Sequence, residues 1–424
     1  MDQKDLKLLL SIPVIVAALG YFVDIYDLLL FSIVRIPSLI SLGVPQDELF
    51  AQGEFLLRVQ MSGLLIGGII WGIMGDKKGR LSVLFGSILM YSLANIANGF
   101  VSTVGQYAVF RFVAGVGLAG ELGAGITLVS EILPSRLRGY ATTIIASVGI
   151  TGAILANFVA KIFDWHIAYF IGGGLGLLLL FARISVFESG MFLKAKATNI
   201  QRGNFFQLFR TKRTLIRYLG CILIGLPIWY VAGILITFSP EFAKAISVTG
   251  TIIAGDAVMF SYIGLAAGDF SSGFISQKIG SRKKVVRAYI LLTLITILFY
   301  LYIPVKTSGF FYFSCFLLGF AIGYWALFVT IAAEQFGTNL RSTVATTVPN
   351  FIRGTVVPLT FLFQFLRDVI SDHYTDIHGV EKAQSMGIIY GALIVGLFTI
   401  AVAFVALRVI DETYGKELNF EEVD

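Results

Sequence analysis

The chain has 424 residues, 57% apolar and 14% charged, with a mean hydropathy of +0.84, whereas soluble domains carry about 25% charged residues. That composition excludes an ordinary soluble protein and places most of the chain in lipid. The net charge of +6 does not mark a nucleic-acid surface, because the Lys and Arg residues sit between apolar runs, as topology signals do, and not in aromatic-interleaved stripes.

Six apolar runs come first, at roughly 8–34, 54–74, 81–100, 106–133, 139–163 and 166–187, each about the ~20 residues a helix needs to cross the hydrocarbon core. The opening run is too long for a signal-peptide core and contains Asp24 and Asp27, so an uncleaved first span is expected. A basic, polar stretch at 194–213 follows, then six more runs at about 215–238, 252–276, 285–304, 310–333, 343–366 and 386–408. The expected division is a six-helix bundle at 1–193, a linker at 194–213, a second bundle at 214–408 and a tail at 409–424. Most of the 32 Lys and Arg residues fall on the side of the termini, which puts both termini in the cytoplasm under the positive-inside rule. Cys221 and Cys315 lie inside apolar runs and read as small packing residues, with no disulfide framework implied.

Residue matches reinforce the two-half pattern. Gly72 to Arg80 at the end of the second run has a counterpart in Gly273 to Arg282 at the end of the eighth, an offset of 201. Glu131 with Arg138 after the fourth run is echoed by Glu334 with Arg341 after the tenth, an offset of 203. Internal repeats are how many transporters build alternating access.

Gly72-Ile-Met-Gly-Asp76-Lys77-Lys-Gly79-Arg80 resembles the signature loop of the major facilitator superfamily, with Met74, Gly75 and Leu81 as departures. In that family the loop latches one domain against the other on the cytoplasmic side, which is what the resemblance implies for Asp76, Lys77 and Arg80. Gly72 permits close helix approach and Gly79 a tight turn. The second copy carries Gln277-Lys278, so a latch there lacks its acid. Arg111-Phe-Val-Ala-Gly115-Val-Gly117 resembles the family's fourth-helix motif, with Ala114 departing from its usual Gln. Glu131-Ile-Leu-Pro134-Ser-Arg136-Leu-Arg138-Gly139, and Arg183 followed by Glu188-Ser189-Gly190, look like segments of the sugar-porter and metabolite:proton symporter branches. That likeness implies cytoplasmic-end ion pairs among Glu131, Arg138, Arg183 and Glu188. Gly149-Ile-Thr-Gly152-Ala153 lacks the fifth-span Gly-Pro of the drug exporters, which favours uptake. The implied fold is all-α and membrane-integral, with twelve transmembrane helices in two pseudo-symmetric six-helix bundles.

Charges inside spans are expensive and mark function by default. Asp24 and Asp27 share one face of the first span beside Tyr21. Asp27 and Arg111 reach similar depth, so a pair is expected; Asp24, Asp27 and Glu121 are the candidate proton carriers, with Asp24 and Glu121, nearer mid-membrane, the better placed. In the second half Asn350 and Arg353 lie in the eleventh span and Asp269 in the eighth. A free Arg353 implies an anionic or zwitterionic substrate; one tied to Asp269 does not. Trp229, Tyr230, Tyr324 and Trp325 offer aromatic walls. Glu54 and Arg58, at i and i+4, fit an ordinary helix pair or an outer gate. His373 and His378, near Asp372 and Asp376, match no strong metal pattern.

The expectation is a secondary transporter, with no cofactor or nucleic acid, that takes up a small polar metabolite (organic acid, amino acid, betaine or sugar) together with a proton. A monomer in a bacterial inner membrane is expected by analogy. The alternatives are a uniporter, an organic-anion exchanger or, less well supported, a sensor on the same fold. An enzyme is disfavoured, since none of the three His residues lies deep in a span beside a nucleophile or ligand cluster.

Overall fold

A backbone that crosses lipid must satisfy its N–H and C=O groups within itself, so the apolar runs have one regular option, the helix. The computed structural model describes residues 3–78, 80–121, 133, 135–187 and 205–415. Helices joined by short loops make up these residues, and Thr249 and Thr307 form an isolated bridge. After a lead-in helix, Gln3–Leu9, the first six spans are Ile12–Ser41, Leu49–Lys78, Arg80–Asn98, Val104–Leu118, Ser135–Ile162 and Trp165–Phe187. Nine helical segments among the described residues are long and apolar enough to cross a membrane, and two shorter ones, Ser82–Asn98 and Val104–Leu118, serve as the third and fourth spans.

The second half is more broken than the hydropathy suggested. Its seventh span runs Lys212–Leu223, Leu226–Tyr230 and a π-turn at Val231–Ile236, with Pro227 starting the middle piece. The eighth and ninth are Ala254–Ile279 and Arg282–Leu301. The tenth is split into Ser308–Ala321 and Trp325–Glu334, and the eleventh into Thr338–Gly354 and Val356–His378. Pro358 stands in the first turn of that last helix, where its missing N–H is tolerated. Val380–Val409 is the twelfth span. The expected boundaries hold within a few residues except at the first span, which continues to Ser41 and so takes in Arg35, and at the eleventh, whose helix runs on to His378 and takes in Asp372, His373 and Asp376, expected in an outward loop.

Packing repeats between the halves. The second span lies on the fourth and the third on the sixth, just as the eighth lies on the tenth and the ninth on the twelfth. Gly63 and Gly67 press on the backbone of the fourth span, and Gly264 and Gly268, again 201 residues later, press on that of the tenth. Between halves the second span meets the eleventh and the fifth meets the eighth, the exchange that a pseudo-two-fold axis requires.

Candidate functional site

The polar residues that no span can hide in lipid converge where the halves meet. Asp24, of the first span, faces Arg353, of the eleventh, with Oδ2 and Nη2 3.7 Å apart and both side chains buried. Indole rings flank the guanidinium: its carbon stands 5.7 Å from the centre of Trp229 and 5.8 Å from that of Trp325, and the two rings meet edge to face. Tyr21 and Tyr262 lie within electrostatic reach of both Asp24 and Arg353. Both oxygens of Asp24, Nε and Nη1 of Arg353, Nε1 of Trp229 and Oδ1 of Asn350 are buried with no hydrogen-bond partner among the described residues. A buried polar atom left unpaired costs about 1–3 kcal/mol, so this cluster asks for partners beyond these side chains.

Several expected partners are exchanged for others. Asp269 does not hold Arg353; its Oδ1 accepts from the Ala326 backbone N–H at 3.0 Å. Arg111 donates to Asn95 Oδ1 and stacks 4.8 Å from the centre of the Tyr169 ring. Asp27 makes no direct contact with Arg111, which acts on it only at longer range, and Asn95 is the polar side chain nearest its carboxyl. Asn95 therefore stands where a direct Asp27–Arg111 pair was expected. Arg183 is fork-to-fork on Glu121, one arm at 3.1 Å and the other closer, and both side chains are buried. Glu121 is thus committed to a guanidinium in this structure, and Arg183 is the cation that holds it. Tyr230 and Tyr324 are fully buried and donate to the carbonyls of Ala392 and Ile224. They brace the second half, so Trp229 and Trp325 are the aromatic faces turned to Arg353.

On both sides of the cluster the halves touch. Toward the termini, Asn350 Nδ2 donates to Ala119 O at 2.7 Å, and a Cβ on Gly72 would stand 3.4 Å from Thr347 Cγ2. Toward the opposite face, Ser32 and Thr237 are hydrogen-bonded, and Arg35 joins Glu241 at 2.7 Å while capping the carbonyl of Thr237 at 3.4 Å. Glu54 and Arg58 do not pair along their helix; each crosses to the eleventh span, Glu54 to Arg367 at 3.2 Å and Arg58 to Gln364 at 3.0 Å. Lys161 and Asn157 both donate to Asp256. Sequence reasoning passed over Arg35, Asn157, Tyr262, Asp256, Glu241 and Arg367. Arg35 carried a usable signal, a basic residue directly after the first apolar run, which the helix goes on to enclose; Asp256 and Glu241 are ordinary in first turns, and Asn157, Tyr262 and Arg367 are ordinary polar or aromatic residues within helices.

On the termini side, Gln277 accepts from Tyr414, Lys278 closes the eighth span, and Glu334 pairs with Arg282 at 2.7 Å. Asp76 and Lys77 fall in the last turn of the second span, Arg80 opens the third, and Arg138 and Arg341 lie in the fifth and eleventh spans; their side chains lie outside the described residues, as do Gly79, Glu131 and Glu188 altogether. Among the described residues no three His, Cys, Asp or Glu side chains form a metal cluster.

The sequence profile of the Major Facilitator Superfamily matches residues 17–354. A probable 4-methylmuconolactone transporter of Cupriavidus pinatubonensis is 29% identical over 344 residues, covering 76% of each chain. The sialic acid transporter NanX of Escherichia coli is 28% identical, covering 64% of this chain and 66% of its own. A benzoate transport protein of Acinetobacter baylyi is 30% identical over 39% of this chain and 37% of its own. Among solved structures, the proton:xylose symporter XylE bound to 6-bromo-6-deoxy-D-glucose matches in fold with a TM-score of 0.70 at 16% identity, over 96% of this chain and 97% of that one.

Proposed function

The chain belongs to the major facilitator superfamily and is a multi-pass membrane transporter of small molecules; from that premise we propose that it imports a small organic anion together with a proton. The observation that carries this reading is the Asp24–Arg353 pair, which joins opposite halves at 3.7 Å with unpaired polar atoms on both side chains. Arg353 offers Nε and Nη1, and Trp229 offers its indole N–H, three donors suited to the planar fork of a carboxylate. Relatives named for sialic acid and benzoate support an acid as cargo.

Coupling follows from competition for one guanidinium. With Asp24 ionised, Arg353 is held by its own protein. A proton on Asp24 releases Arg353, the substrate carboxylate takes its place, and proton plus anion leave the centre with no added charge. Both ligands then stabilise the same closed conformation, which is the thermodynamic condition for symport. Asp27, free of a direct cation and one turn further along, is the second proton carrier in this scheme. The Lys and Arg distribution supports cytoplasmic termini, the bacterial relatives support an inner-membrane location, and the site within one chain supports a working monomer.

The test is transport in proteoliposomes across a panel of carboxylates, amino acids, betaines and sugars. A carboxylate is expected to accumulate when the outside is acidic, and Asp24→Asn is expected to keep counterflow while losing the response to the pH gradient. Counterflow that ignores both the gradient and Asp24→Asn would point to uniport or anion exchange instead.

A further inference from the structure

The tenth span breaks where it meets the eighth backbone to backbone. A Cβ on Gly323 would stand 2.4 Å from Gly268 Cα and 2.6 Å from the Asp269 nitrogen, so side chains are excluded and the two main chains touch. This contact sets the buried Asp269 carboxyl beneath the first turn of Trp325–Glu334. Its Oδ1 accepts from the Ala326 N–H at 3.0 Å, and the Trp325 N–H also points to the carboxyl. The helix has no cap of its own, since Tyr324 at the N-cap position makes no side-chain cap bond. The orphan N–H groups of a ten-residue helix inside lipid would otherwise go unsatisfied.

Trp325 is the first residue of that helix. Its ring stacks on Phe328 at 5.4 Å, meets Trp229 edge to face at 6.2 Å, and lies under the Arg353 guanidinium. We propose that Asp269 is a positioning residue: it caps the half-helix Trp325–Glu334 from a neighbouring span, and through that cap it fixes the Trp325 indole as a wall beside Arg353. Asp269 does not pair with Arg353; its contacts are the N–H groups of Ala326 and Trp325. The 201-residue repeat puts Gly68 at the equivalent place in the first half, where it has no side chain to cap with and packs against Asn350.

The consequence for transport rests on the Arg353 cluster being the substrate site, but the positioning itself does not, and the test separates the two. Tryptophan occurs four times in the chain, so replacing Trp71, Trp165 and Trp229 with Phe in the full-length protein leaves Trp325 as its single reporter. Asp269→Ala is expected to raise acrylamide quenching of Trp325 at least twofold. In the otherwise wild-type protein it is expected to raise the transport KM about tenfold with little change in maximal rate. Asp269→Asn and Asp269→Ser, which keep a capping oxygen without a charge, are expected to restore both readouts. If Asp269→Ala does not fold, the Asn and Ser variants carry the test alone: near-parental quenching and KM support the cap. Asn as damaging as Ala, or Trp325 quenching that ignores all three variants, would overturn it and leave Asp269 acting through its charge.

Discussion

A guanidinium and an ammonium carry the same charge but present it differently, and at the centre of this protein the difference is measurable. Arg353 lies between two indoles and offers two unpaired nitrogens on a rigid plane; a lysine would bring a compact, strongly hydrated point charge. Arg353→Lys is therefore expected to raise KM for the cargo at least tenfold, about 1.4 kcal/mol, with Arg353→Ala inactive. Uptake that survives Arg353→Lys unchanged would mean that the guanidinium does not touch the cargo. A second residue-scale prediction concerns Gly20. A Cβ there would fall 2.2 Å from both Arg183 Nη2 and Glu121 Oε1, so Gly20→Ala must push apart a buried ion pair. Losing one partner of a buried pair outright costs about 3–5 kcal/mol, which bounds the effect of displacing both side-chain ends from above, and the expected result is a drop in the melting temperature of detergent-solubilised protein. Gly20→Ala melting with the wild type would show that the pair can relax.

At the scale of elements, the chain beyond the twelfth span ties the termini-side end of the second half together. Glu412 accepts from Ser281 Oγ at 2.5 Å and from the N–H groups of Arg282 and Lys283 at 3.0 and 3.2 Å, capping the ninth span. Gln335 Nε2 donates to Asp411 O, and Lys283 Nζ donates to Ile410 O. The eighth span ends at Gly280 with φ +67, a left-handed residue that lets the chain turn directly into this cap. Partial burial pulls the Glu412 carboxyl upward, but the hydrogen bonds from Ser281, Arg282, Tyr414 and Lys283 outweigh it and hold it below the ordinary glutamate value of 4.5. A depressed carboxylate contributes stability that is present above the ordinary value and is lost as pH falls through the depressed one. Glu412→Gln is thus expected to lower the melting temperature at pH 7 by on the order of 2 °C, with the gap to wild type closing on acidification below 4.5. A gap independent of pH would mean that shape, and not charge, makes the cap.

For the whole molecule, an ion pair between halves closes the face opposite the termini in this structure. Arg35 is fully buried and Glu241 is 17% exposed, so Glu241→Gln leaves a cation stranded whenever the face opposite the termini is shut. The closed arrangement then loses about 3 kcal/mol relative to one that hydrates Arg35, a shift of roughly 150-fold toward opening. A cysteine at Ser32, in a protein whose Cys221 and Cys315 are replaced, should be labelled faster by an impermeant maleimide in the Glu241→Gln background. The exchanged pair, Arg35→Glu with Glu241→Arg, should restore protection. Labelling unchanged by Glu241→Gln would show that this pair does not hold the face closed.

Twelve spans, two halves and the glycines that let helices touch were legible along the chain, because hydropathy and close approach are properties of segments and recur at a fixed offset. Which charges the membrane must accommodate was equally legible, since Asp24, Asp27, Arg111, Glu121, Asp269 and Arg353 stand out against apolar neighbours. Their partners were not. Depth along a helix paired Asp27 with Arg111, yet rotation about the axis brings Asn95 to that arginine and Glu121 to Arg183. Local spacing made Glu54 and Arg58 a helix pair, yet both reach the other half. A sequence fixes how far along its own helix a side chain lies; only the packing of one helix on another sets the direction it faces. That direction is what joins Asp24 of the first half to Arg353 of the second.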